Sequence, residues 1–159
     1  MKTRIKKLIS VKSMPVLALA LLVLLGTALA ASRDPVSGSG NVFGFVGSAT
    51  FTVGDETFEG SVAVIPLEEP VVSADGVFYF PAVQHTFEFD DESTLITVGE
   101  EVAEPKNDKP GEYTLNGYMD ITEATMNLEG ISGRLRVHGT ITDLFVGEAS
   151  FEIHGVISR

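Results

Sequence analysis

The side chains best suited to chemistry in this chain are three histidines and several groups of carboxylates. His85, His138 and His154 are its only imidazoles, and it has no cysteine. A zinc or copper site needs imidazoles that converge in space, from i, i+2 positions of a strand or from neighbouring strands. No His-x-His or His-x-x-x-His spacing occurs. Pairing the last two strand segments in an even register sets His138 opposite Glu152 and Arg136 opposite His154. Both histidines then read as polar cross-strand partners on a solvated face, each pair contributing about 0.2–1 kcal/mol. Asp90, Asp91 and Glu92 offer the clustered oxygens that calcium prefers, without the ligand spacing of an EF-hand. They read as a solvated turn, and Glu100, Glu101 and Glu104 read the same way. General acid–base work would need a carboxylate in an apolar pocket that raises its pKa. Glu88 and Glu152 are flanked by Phe87 with Phe89 and by Phe151 with Ile153, and alternation turns both acids away from those rings. There is no Gly-x-Ser-x-Gly elbow and no phosphate-binding glycine loop. The expectation is therefore no catalytic residue, no cofactor and no metal ligand set.

The elements that carry these groups read as strands. Phe45, Ala49, Phe51, Phe58, Val62 and Val64 fall on one face of two alternating segments joined at Gly54-Asp55. A two-residue Gly-Asp loop suits a type II′ turn, which sets Val53 opposite Glu56 and Phe51 opposite Phe58. Val77–Phe80 and Val83–Phe89 follow, with Pro81 as a kink or edge marker. Thr94–Val98 reads as a short strand, Glu100–Gly111 as an exposed loop and Tyr113–Ile121 as a strand. Thr122–Gly133 lacks alternation and reads as an irregular crossing with one helical turn. Val137-His138-Gly139-Thr140-Ile141 echoes Ile153-His154-Gly155-Val156-Ile157, as two strands of one sheet do. No window carries a helical stripe.

The first thirty residues read as an export leader. Lys2, Arg4, Lys6, Lys7 and Lys12 form a positive start, Val16–Leu25 is unbroken apolar sequence, and Ala28-Leu29-Ala30 offers a cleavage site near Ala30/Ala31. About ten apolar residues fall short of the ~20 that a membrane-spanning helix needs, so cleavage is favoured over an uncleaved anchor. The expected location is secreted or extracytoplasmic, in the periplasm or at the cell surface. All five leader cations leave with it, while all 22 acidic residues stay, so the exported chain is more negative than the full-length −11. Such a surface repels phosphate backbones and anionic headgroups, which disfavours nucleic acid and stable membrane insertion. Without cysteine there is no disulfide framework, and the core alone must hold the domain.

The segments Pro110-Gly111-Glu112-Tyr113, Gly117-Tyr118-Met119-Asp120-Ile121 and Leu128-Glu129-Gly130-Ile131-Ser132-Gly133-Arg134-Leu135 resemble the second half of allene-oxide-cyclase-like and dirigent-like barrels. Gly130-Ile131-Ser132-Gly133 matches the end of that family's glycine-rich turn, whereas Glu123-Ala124-Thr125-Met126 replaces the glycines at its start. The resemblance covers roughly a third of the chain. It implies an eight-stranded antiparallel barrel with a cavity open at one end, and it carries over no catalytic residue.

The expected organisation is a leader over residues 1–30, a flexible Ser/Gly spacer over 31–40, and an antiparallel β-domain over 41–159. About eight strands at short spacing define an all-β barrel, or alternatively a β-sandwich. The leading functional expectation is an exported, non-enzymatic binding or surface-associated module. A cavity in it would favour a small apolar ligand and would be lined by Phe45, Phe51, Phe58 and Phe151. One rival is a cyclase or isomerase of an apolar substrate, which needs an inward polar group such as Tyr113, Tyr118 or Glu88. The other is a structural module that self-associates.

Overall fold

The structure, a computed structural model, describes residues 32–159, and the export leader predicted over residues 1–30 lies outside the described residues. Nine strands follow one another: β1 (Arg33–Phe43), β2 (Val46–Val53), β3 (Glu56–Pro66), β4 (Val71–Val72), β5 (Phe78–Phe89), β6 (Thr94–Pro105), β7 (Tyr113–Ala124), β8 (Ser132–Asp143) and β9 (Glu148–Ser158). Leaving aside the two-residue β4, each strand pairs antiparallel with the next. β1 pairs with β9 and β3 with β5, so eight strands close into an up-and-down barrel. Closure gives each of these strands a hydrogen-bonded neighbour on both sides. The sandwich alternative is thereby excluded.

The β2–β3 hairpin has the predicted register, with Val53 opposite Glu56 and Phe51 opposite Phe58. Gly54 takes a φ of +60° at the first corner, and Asp55 does not share the left-handed region, as a type II′ turn requires. In β8 and β9, Arg136 faces His154 and His138 faces Glu152, also as predicted. Met126–Leu128 forms the one 3-10 turn of the irregular crossing between β7 and β8.

Two expectations are corrected. Within the spacer predicted over residues 31–40, residues 33–40 are strand, because β1 runs from Arg33 and completes the barrel between β2 and β9. Its inward row is Val36, Gly38, Gly40 and Val42, and the two glycines make room for neighbouring rings. A Cβ at Gly40 would lie 2.4 Å from the Phe151 ring, and one at Gly38 would lie 3.3 Å from the Phe51 ring. A composition that reads as flexible linker is thus the seat of two core aromatics. Likewise, Glu100–Gly111 is not wholly loop. β6 continues to Pro105, with Glu101 and Ala103 buried on its inward row.

Packing differs between the two ends of the barrel. Around the end that carries the β2–β3 and β5–β6 turns, Phe51, Phe58, Phe87 and Phe89 pack with ring centroids 5.6–6.2 Å apart. Leu128 and Ile131, from the β7–β8 crossing, are buried in the same core. The opposite end carries the β1–β2, β3–β5 and β8–β9 connections. Several large apolar side chains are exposed on these connections, Phe145 the most at 91%.

Candidate functional site

The open end leads into an apolar cavity of about 280 Å³. Ligand pockets commonly span roughly 300–1,000 Å³, so the space suits a small molecule. Strands from around the barrel build its wall, with Val64 of β3, Phe80 and Val83 of β5, Leu115 of β7, Ile141 of β8 and Phe151 of β9. Period-two alternation brings these side chains inward, except that Phe80 and Val83 differ in parity and share the interior through a break in β5. Between Phe80 and Val83 the register of β5 against β6 shifts, forming an irregularity at Pro81-Ala82. Bulges of this kind re-aim side chains near sites.

Among the described residues only two polar side chains line the cavity, His85 of β5 and Glu101 of β6. They are 2% and 5% exposed. His85 Nε2 lies 3.2 Å from Glu101 Oε1. The approach is not an aligned hydrogen bond, for Oε1 and His85 Nδ1 both lack a hydrogen-bond partner among the described residues. On β6 the inward row runs Thr97, Gly99, Glu101, and His85 is paired with Thr97. Glu101 is paired with Gly117 of β7, where a Cβ would stand 2.8 Å from Glu101 Cγ, so the missing side chain there leaves the acid its space. The imidazole ring stacks at 6.2 Å on Phe87 and meets Phe151 edge-on at 6.3 Å. Phe87 belongs to the aromatic cluster beneath, so the polar pair sits where the packed half of the barrel gives way to the hollow half.

The mouth is shaped by the β1–β2 and β8–β9 turns. Gly44 N–H donates to the carbonyl of Val146, and Phe45 N–H donates to that of Gly147. Gly44 and Phe45 both take a φ of +65°, a left-handed conformation that is strained for phenylalanine. Phe45 lies over Gly147, where a Cβ would stand 2.9 Å from ring atoms. Phe45 and Phe145 therefore form an apolar rim.

The sequence-predicted residues divide. Phe45 and Phe151 line the cavity, although Phe45 does so from a turn corner and not from an inward strand position. Phe51 and Phe58 belong to the packed aromatic cluster and do not line it. Their strand parity is right, but they lie at the filled end. Tyr118 and Glu88 face solvent, and Tyr113 is half-buried edge-on against Phe78. His138 is exposed with Nδ1 3.0 Å from Asn116 Oδ1, and His154 is exposed beside Glu152 at 3.5 Å. Asp91 accepts hydrogen bonds from Ser93 in its own turn and from Asn127 of the β7–β8 crossing.

Sequence reasoning missed the inward role of His85 and Glu101. A signal was present in both cases. His85 has the parity of Phe87 and Phe89, and Glu101 has that of Leu95 and Ala103. The loop reading of Glu100–Gly111 stopped β6 before its buried acid. Compared with protein-family models, curated proteins and solved structures, the chain matches none, so the site is read on its own geometry. That geometry defines a class: a closed eight-stranded barrel, packed at one end and hollow at the other, with one buried polar pair at the junction.

Proposed function

We propose that this protein is an exported carrier that binds a small apolar molecule inside the barrel. The observation that supports this most directly is the half-empty interior, whose lining among the described residues is apolar apart from His85 and Glu101. A barrel of this size has side chains enough to fill itself, as the Phe51–Phe58–Phe87–Phe89 end does. Leaving the other end hollow forfeits dispersion contacts, and a bound apolar molecule restores them. The Phe45–Phe145 rim gives such a molecule a non-polar entry. The leader pattern supports a role outside the cytoplasm.

The test is cavity filling. Ala149 lines the cavity, and Ala149→Phe places a ring in the void. The wild-type protein should take up an environment-sensitive apolar dye with saturable, one-site binding. Ala149→Phe should lose that binding while keeping its thermal midpoint. Equal dye binding by both proteins would refute the carrier reading.

A second reading, an isomerase of an apolar substrate, draws on the same pair. An imidazole beside a carboxylate in a water-poor pocket is equipped to move a proton between two atoms of a bound molecule. The product separates the two readings. A carrier returns its ligand chemically unchanged after prolonged incubation, whereas an isomerase converts it and loses that conversion in His85→Phe.

A further inference from the structure

We propose that the ligand is a neutral amphiphile that enters polar end first and sets a hydroxyl against Glu101, with its apolar part toward the rim. This rests on reading the cavity as a binding site and specifies what that site accepts.

Three observations lead to it. First, polarity is segregated along the cavity. The rim residues Phe45 and Phe145 are apolar, and the only polar side chains of the lining among the described residues are His85 and Glu101, beside the aromatic floor. A ligand that matches this distribution has one polar end, and that end lies deepest.

Second, the pair is incompletely satisfied. His85 Nδ1 and Glu101 Oε1 have no hydrogen-bond partner among the described residues. Buried polar atoms are normally paired, and an unpaired one marks a place where a partner belongs. A hydroxyl supplies both a donor and an acceptor. It donates to the carboxylate and remains free to accept from the imidazole.

Third, the charge of the lining excludes the commonest amphiphile head. No Lys or Arg among the described residues lines the cavity. A ligand carboxylate would be brought beside Glu101 in a low-dielectric space, where like charges repel strongly. An ammonium head would attract Glu101 but would have to shed its hydration while passing the apolar rim. A hydroxyl avoids both penalties. The volume of about 280 Å³ suits a medium-length chain or one or two small rings.

The experiment compares 1-decanol, decanoate, decylamine and decane as competitors of the bound dye, at neutral pH and on the exported chain. Decanol should bind best, at least about tenfold more tightly than decanoate. Glu101→Gln should narrow the decanol–decanoate gap, because it removes the repelling charge and keeps the shape. Decanoate or decylamine matching decanol on the wild-type protein would overturn the inference and leave the carrier reading intact. So would a gap unchanged in a folded Glu101→Gln protein. The wild-type comparison alone decides if that variant fails to fold. Failure of all four to displace the dye would overturn the carrier reading and the inference together.

Discussion

His85 Nε2 and Glu101 Oε1 approach to 3.2 Å inside a barrel whose other inward side chains are nearly all apolar. Neither residue reaches the other through a directly opposed strand position, since His85 is paired with Thr97 and Glu101 with Phe80. Glu101 takes its place opposite Gly117 of β7, where a Cβ would stand 2.8 Å from Glu101 Cγ. The contact therefore depends on strand register, on a missing side chain and on the irregularity at Pro81-Ala82.

Breaking this pair should cost more than deleting it. His85→Leu leaves the Glu101 carboxylate buried without its partner, at a cost of about 3–5 kcal/mol. Replacing both residues, as His85→Leu with Glu101→Met, should recover most of that loss. Urea unfolding of the two single variants and the double variant measures the coupling. Simple additivity of the single effects would show that the two side chains do not interact.

Gly40 should resist any side chain. An added Cβ would stand 2.4 Å from the Phe151 ring, so Gly40→Ala overpacks the core and should destabilise by about 1–3 kcal/mol. Phe151→Leu in the same chain should return part of the loss by vacating that space. Chemical denaturation gives both numbers, and an unchanged Gly40→Ala midpoint would contradict the packing described here.

The two ends of the barrel should respond differently to the loss of a ring. Phe51 is fully buried and Phe145 is 91% exposed. Phe51→Ala should cost about 3–5 kcal/mol, whereas Phe145→Ala should stay within about 0.5 kcal/mol of the wild type. Phe145→Ala should act instead on dye uptake, through the rim. Thermal unfolding and stopped-flow dye binding on the same samples separate these effects.

Asp91 should make stability acid-sensitive. Its carboxylate is held below the ordinary range, first by the Asn127 side chain and then by the backbone N–H of Ser93. A carboxyl with a lowered folded-state pKa stabilises above its unfolded pKa, and loses that contribution as pH falls through the folded value. Asn127→Ala removes the largest cause. It should therefore be less stable than wild type near about pH 7, with the difference shrinking by about pH 3. Urea midpoints across that range test the sign. A gap that widened in acid would be incompatible with it.

The pieces governed by neighbours in the chain were legible from residue types alone. Period-two alternation placed Phe51, Val62, Val137 and Ile153 inward, and Gly54-Asp55 set the β2–β3 register. The even register of the last two strands brought His138 to Glu152. These features follow from backbone geometry over a few residues, so local residue types suffice. What the tertiary structure alone decided is which inward residues meet. Ser37-Gly38-Ser39-Gly40 has the composition of a linker, and it becomes a core strand because Phe51 and Phe151 from neighbouring strands need the space that its glycines leave. Phe51 and Phe151 share the same inward alternation, yet one packs into the filled end and the other borders the void. His85 and Glu101 are sixteen residues apart in the chain and became one site only when β5 and β6 paired. A side chain's face is set locally, but its depth along a closed barrel and its partner across the interior depend on the register of the whole ring.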